Sequence, residues 1–192
     1  GPLSQIVNEL KPVKVLPIID NGVSSNHSNL TNKISDWSKK NNIDCCKSVV
    51  IQGGEKSKND FAYVEQILES IHHHRICRKS CVIAIGGGAA LDTIGFASSI
   101  AHRGIPLLRM PTTTLSACDS ALGVKNGINF FNKKNFIGVF DPPFAVINDY
   151  TFLDTLNDRH FNSGLSEAIK VALIKDSNLF NYIKSQTKAI LN

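Results

Sequence analysis

The chain has 192 residues, with 21 Lys and Arg against 16 Asp and Glu, a formal charge of +5, and 42% hydrophobic and 19% charged residues. That balance excludes a disordered, collagen-like or coiled-coil chain, and no apolar run approaches the ~20 residues that cross a bilayer, which argues against a transmembrane helix. The basic excess is dispersed, with short pairs at Lys39-Lys40 and Lys133-Lys134; nucleic acid is not the expected partner, while a basic pocket for an anionic small molecule stays open.

In chain order, Gly1-Pro2-Leu3-Ser4 reads as the remnant of a cleaved expression tag and is set apart. Val13 to Ile19 is predicted as a buried strand closed by the turn signal Asp20-Asn21-Gly22. Leu30 to Lys40 reads as a helix, with Ile34 and Trp37 on one face. Ser48 to Ile51 is a second strand, closed by Gly53-Gly54. Phe61, Val64, Ile67, Leu68 and Ile71 follow helical spacing, which predicts a helix from Asn59 to His73. Cys81 to Ile85 is a continuous apolar run, as in a parallel strand covered on both faces. Gly86-Gly87-Gly88 follows, then a helix from Ala89 to Ala101 and a fourth strand from Pro106 to Met110. This alternation predicts an α/β fold: an open, mostly parallel sheet with helices on both faces.

Residues 111–150 are turn-rich. Gly127 to Phe131 and Phe136 to Phe140 are predicted to form a hairpin across Asn132 to Asn135, and Val146 to Asn148 a last strand. From Thr151 the pattern is helical, with Phe161 to Lys175 amphipathic and part of its surface expected to be buried. The organisation is thus an α/β domain over 5–150 and the beginning of a helical domain over 151–192. Cys45, Cys46, Cys77, Cys81 and Cys118 are an odd set without a visible signal peptide, which points to reduced thiols and a cytoplasmic setting.

Chemistry concentrates after the third strand. A glycine run between a parallel strand and a helix lets the backbone approach a phosphate and aims amide N–H groups at it. Asp92 lies one turn into that helix. The run is not G-x-G-x-x-G and follows the third strand, so taken alone it fits a tight structural turn equally well. Met110-Pro111-Thr112-Thr113-Thr114 places hydroxyls at a strand's carboxyl end, where ligand crevices open, although a Thr run is more often a capped turn. Asp119, Lys125, Lys134 and Asn135 share one turn-rich segment, and Glu167 and Lys170 share a helix face. Lysines could hold a phosphate and a carboxylate could hold a divalent metal. His72-His73-His74 cannot converge on one ion from consecutive helical positions and reads as an exposed helix end. His102 and His160 read as surface or cap residues.

Gly86-Gly87-Gly88…Asp92…Gly95-Phe96, Arg103-Gly104-Ile105-Pro106, Pro111-Thr112-Thr113, Asp119-Ser120…Gly123-Val124-Lys125…Gly127-Ile128-Asn129, Lys134-Asn135…Gly138 and Gly164-Leu165-Ser166-Glu167-Ala168-Ile169-Lys170 together resemble the sugar phosphate cyclase superfamily, best known through 3-dehydroquinate synthase. The likeness covers about residues 13–185. Dehydroquinate synthases usually carry Gly-Gly-Lys-Thr where this chain has Gly123-Val124-Lys125-Asn126. That difference, with Leu91-Asp92 and Asp141-Pro142-Pro143, resembles more the sedoheptulose 7-phosphate cyclases, such as 2-epi-5-epi-valiolone synthase.

The resemblance implies a Rossmann-like NAD-binding domain and a lyase that eliminates phosphate and closes a carbocycle, with NAD recycled in one site and a divalent metal, zinc or cobalt, as Lewis acid. It implies Glu167 as metal ligand. Lys125, Lys134, Asn135 and Lys170 are implied at the substrate, with Asp119 beside them and Arg103 reaching a neighbouring subunit's phosphate in a homodimer. Asp20, Glu55, Lys58, Gly86, Gly87, Gly88, Asp92, Thr112, Thr113, Phe152 and Thr155 are implied around NAD. The family completes its metal site with two His from a C-terminal helical domain, and no His follows His160. The expectation is therefore one metal ligand of three, weak NAD binding and no turnover. The alternatives are a dehydroquinate synthase, a non-catalytic NAD-binding or dimerisation module, and an iron-type alcohol or glycerol-phosphate dehydrogenase of the same fold.

Overall fold

The computed structural model describes the backbone of residues 1–191 and the side chains of 1–187. Strands β1 (Val15–Asp20), β2 (Val49–Ile51), β3 (Cys81–Gly86), β4 (Leu107–Pro111) and β7 (Ala145–Val146) pair in parallel in the order β2-β1-β3-β4-β7. β1 and β3 are buried at every residue, because helices cover both faces. On one face Leu16, Ile18, Val82, Ala84 and Leu107 pack against Val64, Ile67 and Ile71 of α5 (Phe61–His73) and Leu91 and Ile94 of α6 (Gly88–Ile100). On the other, Val15, Ile19, Cys81, Ile83, Ile85 and Leu108 pack against Val7 of α1 (Pro2–Leu10), Ile34 of α3 (Leu30–Lys40) and Phe152. The period of two along each strand thus sorts one apolar sequence into two cores. From β1 the chain crosses to β2 on one side and then to β3 on the other. The order reverses between β1 and β3, which opens a crevice outside Asp20 and Gly86.

The parallel α/β architecture matches the sequence expectation, with differences that have local causes. The helix α1 starts inside the tetrapeptide set apart as a tag remnant, and Ser4 Oγ accepts a hydrogen bond from Trp37 Nε1 at 3.0 Å. Asp20-Asn21-Gly22 is not a turn: Asp20 caps the short helix α2 (Asn21–Asn26), its Oδ1 accepting from the Gly22 N–H at 2.7 Å. The helix expected from Asn59 is divided, because Asp60 is extended between α4 (Lys56–Asn59) and α5 and caps the latter.

The hairpin, β5 (Lys125–Phe130) with β6 (Lys133–Phe140), turns over Phe131-Asn132, not over Asn132 to Asn135. Both turn residues adopt left-handed conformations, φ 50° and 56°, the geometry of a two-residue turn matched to strand twist. Phe at the first of these positions gives no sequence signal for it. A π-helical turn, Ser116–Ser120, carries Asp119 where no element was expected. In α7 (Asp158–Lys175), followed by α8 (Ser177–Leu191), Gly164 and Ala172 are buried, while Ile169, Val171, Leu173 and Ile174 are exposed among the described residues. No described helix is long and apolar enough to cross a membrane.

Candidate functional site

The crevice holds two cavities. The first, about 340 Å³, is lined by Asp20, Gly22, Gly87, Thr112, Thr113, Phe152 and Thr155, together with His27, Asn157 and His160. Gly87 is the N-cap of α6 and supplies no side-chain acceptor to that helix's first amides, which leaves a thirteen-residue helix directing N–H groups at the opening. The His27 ring stands edge-on to Phe152 at 5.1 Å, and its Nε2 lies 3.1 Å from Thr155 Oγ1. His160 is exposed in the first turn of α7, where its N–H donates to the capping Asn157 Oδ1 at 2.9 Å, in keeping with the surface or cap reading, and it also lines this cavity. Seven residues anticipated around a dinucleotide, Asp20, Gly86, Gly87, Thr112, Thr113, Phe152 and Thr155, gather at or beside this end of the sheet.

The second cavity, about 430 Å³, is lined by Asp92, Asp119, Ser120, Lys125, Asn126 and Asn135, with Phe136 and Phe140 at its margin. Gly88 adjoins it: a Cβ there would lie 2.7 Å from Ser120 Oγ. Lys58 organises one wall. Its Nζ donates to Asp92 Oδ2 at 2.6 Å and to Asn135 Oδ1 at 2.5 Å, and the residue is only 5% exposed. Burial pushes the Asp92 carboxyl above its ordinary value, against the opposing pull of the Lys58 ammonium. Asp92 and Asn135, 43 positions apart in sequence, are thereby held by one cation.

Glu167 and Lys170 form an ion pair on α7; hydrogen bonding to Glu167 raises the Lys170 pKa, and Asp119 acts on it in the same sense. Thr114 docks this helix, its Oγ1 donating to the carbonyls of His160 and Phe161 at 3.0 and 2.6 Å. Among the described residues no group of three or more His, Cys, Asp or Glu side chains converges on a possible metal position. Glu167 therefore supplies a single carboxylate donor, and the donor set does not by itself fit a complete metal site.

Three anticipated residues lie elsewhere. Lys134 and Glu55 face a separate depression of about 650 Å³ beside the hairpin turn, with Asn59 and Asn129. Lys133 and Lys134 both face this depression, whereas Asn135, in a left-handed conformation with φ 52°, is the neighbour that meets Lys58. Arg103 is exposed, ahead of β4, at the amino end of the sheet and away from the crevice. The sequence assigns no role to Arg109, and Asn126 stands out there only as a difference from the dehydroquinate synthases. Arg109 sits inside an apolar strand, with no surface exposed, and donates at 2.5 Å to Asn126 Oδ1. A charged residue inside an otherwise apolar run was the available signal.

Residues 48–163 match the family model described as 3-dehydroquinate synthase N-terminal. A 3-dehydroquinate synthase from Dictyoglomus thermophilum is 42% identical over 144 residues, 75% of this chain and 40% of that protein. One from Helicobacter pylori strain G27 is 44% identical over 137 residues, 71% of this chain and 40% of the relative. The chain thus spans about 40% of the length of these curated relatives. Among solved structures, ValA, the 2-epi-5-epi-valiolone synthase of Streptomyces hygroscopicus subsp. jinggangensis 5008 with NAD+ and Zn2+ bound, superposes with a TM-score of 0.85 at 30% identity, covering 94% of this chain and 49% of that one. A 2-deoxy-scyllo-inosose synthase complexed with carbaglucose-6-phosphate, NAD+ and Co2+ gives 0.73 at 28% identity, covering 83% and 42%. An NADH-dependent butanol dehydrogenase from Thermotoga maritima, at 17% identity and 0.67, shares the fold alone.

Proposed function

Because the chain belongs to the 3-dehydroquinate synthase N-terminal family, we propose that it is the cofactor-binding part of an NAD-dependent, phosphate-eliminating sugar phosphate cyclase, acting on sedoheptulose 7-phosphate to give a valiolone-type cyclitol. The observation that carries this reading is a pair of cavities that share helix α6. One is lined by Gly87, the N-cap of that helix, with Gly22 and Gly54; the other is lined by Asp92 of the same helix together with Asp119 and Lys125. A dinucleotide suits the first, since backbone amides and the α6 terminus favour its diphosphate and Asp20 offers an acceptor for a ribose hydroxyl. An anionic sugar suits the second.

NAD, when bound, supplies reversible hydride transfer at a secondary alcohol of the sugar. The chain's own residues bind and orient. Lys58 holds Asp92 and Asn135 in one arrangement, and Lys125 presents positive charge to a phosphate. Lys170 is the second cation, and Glu167 the carboxylate this chain offers to a divalent metal. Lys134 reaches the substrate in this reading only by turning away from its depression beside Glu55. Exposed Arg103 suits a role across a homodimer interface.

The valiolone branch is favoured by the Asn126–Arg109 bond, which uses an amide where dehydroquinate synthases usually carry Thr, and by the ValA superposition. The second reading, 3-dehydroquinate synthase, is favoured by relatives of that name at 42–44% identity. The test offers the complete gene product, with NAD and a divalent metal, sedoheptulose 7-phosphate or the dehydroquinate precursor separately, and follows phosphate release. Release from the former alone is expected. Release from the latter alone moves the assignment to dehydroquinate synthase. Net accumulation of NADH refutes both, since cyclases recycle the cofactor.

A further inference from the structure

We propose that Arg109 is the positioning residue of the polar cavity, a buried fork that sets the loop carrying Asp119 and Lys125. The inference rests on the reading of that cavity as the sugar phosphate site. Arg109 has no exposed surface and no carboxylate partner among the described residues. Its Nη1 donates to three backbone carbonyls within residues 120–123, those of Ser120 at 2.9 Å, Ala121 at 3.1 Å and Gly123 at 2.8 Å. Its Nη2 donates to Asn126 Oδ1, and Asn126 Nδ2 donates in turn to the Asp141 carbonyl at 2.9 Å.

These acceptors bracket the functional groups. Asp119 precedes the first, Lys125 lies between Gly123 and Asn126, and Asp141 follows the far end of β6. One guanidinium on the rigid sheet therefore ties down both the loop and the two base ends of the hairpin that carries Asn135. The backbone around it is shaped for this: a Cβ on Gly95 would fall 1.8 Å from Asn126 Oδ1 and 3.4 Å from Arg109 Nη2. Burying a cation against neutral carbonyls costs desolvation free energy, and burial lowers the Arg109 pKa, opposed by Asp92 and Asp141. A planar fork of donors can satisfy four acceptors at once, whereas an ammonium cannot match that geometry.

The test uses this chain with Arg109→Lys and Arg109→Met. Calorimetry measures NAD, and then sedoheptulose 7-phosphate in the presence of NAD, well below each melting temperature. Amide exchange is followed at 120–126. We expect NAD affinity within about twofold of the parent, sugar phosphate affinity down at least about tenfold in R109M with partial recovery in R109K, and accelerated exchange at 120–126 while β3 stays protected. Parent-like exchange and sugar phosphate affinity in R109M overturn the proposal. So does equal loss of both ligands, or failure of both variants to fold, since either makes Arg109 a general stabiliser. If the parent binds NAD but no sugar phosphate, the functional reading falls and exchange alone decides Arg109, parent-like rates at 120–126 counting against it.

Discussion

Asp20 occupies the space that a side chain on Gly53 would need. A Cβ built there would lie 2.2 Å from Asp20 Oδ1 and 2.3 Å from its Cγ. Asp20 ends β1 and Gly53 lies two residues beyond the end of the neighbouring β2, so the glycine leaves room for the carboxylate that lines the first cavity. Gly53→Ala should displace that carboxylate, since the new Cβ would overlap its Oδ1, Cγ and Oδ2 alike. Overpacking of this kind costs about 1–3 kcal/mol. We expect a lower melting temperature and NAD affinity reduced about tenfold in G53A, measured by calorimetry. Parent-like NAD affinity would show that Asp20 does not touch the dinucleotide.

Lys58→Met removes the only ammonium bonded to Asp92 among the described residues and leaves a largely buried carboxylate without that counter-charge. Breaking a buried pair from one side costs about 3 kcal/mol at neutral pH. The pH dependence has a definite sign. Burial already raises the Asp92 pKa above 3.8, and loss of Lys58 raises it further. A carboxyl shifted upward favours the fold in its protonated form; that contribution is full below the unfolded value and is lost as pH rises through the folded value. The urea midpoints of K58M and parent should therefore converge near pH 4 and separate by pH 7. A constant gap across that range would contradict the assignment of the effect to Asp92.

The parallel sheet was legible because β1, β3 and β4 are apolar at nearly every position, which only a sheet covered on both faces requires. The crevice was legible because the triglycine and the Thr run end β3 and β4, neighbouring strands of that sheet. What could not be read has its origin in distance. Nothing local places Lys58 against Asn135, 77 positions away. Nothing local separates Lys134 from Asn135 until the hairpin register is known, and the turn at Phe131-Asn132 that sets it carries no glycine. Arg109 drew no notice within its strand, since its acceptors are mostly backbone carbonyls and carry no sequence signature.

The thiols offer a separate check on packing. Cys77 is exposed, and hydrogen bonds from the Lys79 backbone and Ser80 lower its pKa. Burial pushes Cys45 up to about 11 and Cys81 up to about 12. Cys118 is exposed but raised, by partial burial and by Glu167 and Asp119. The thiolate is the reacting species, so iodoacetamide at pH 7 should alkylate Cys77 first, Cys118 more slowly, and Cys45 and Cys81 only on unfolding. Peptide mapping by mass spectrometry reads this order. Early modification of Cys81 would contradict the burial of β3.

Gly164 stands in the middle of α7, where Ala would favour an isolated helix by about 1 kcal/mol. In the folded chain the sign should invert. A Cβ at Gly164 would lie 2.5 Å from Thr114 Cβ and 2.6 Å from the Thr114 carbonyl carbon, a backbone atom that cannot swing aside. Gly164→Ala must therefore push α7 away from the loop after β4, lengthening the Thr114 hydrogen bonds to His160 and Phe161 and moving Glu167 and Lys170 one turn further on. Destabilisation of about 1–3 kcal/mol is expected, with faster amide exchange over 158–170 and unchanged protection in β3. Thr114→Val, which keeps the shape and removes the donor, should give a milder version, about 1 kcal/mol. If G164A instead raises the melting temperature and slows exchange in α7, helix propensity governs this segment and the close packing on Thr114 does not set where Glu167 sits.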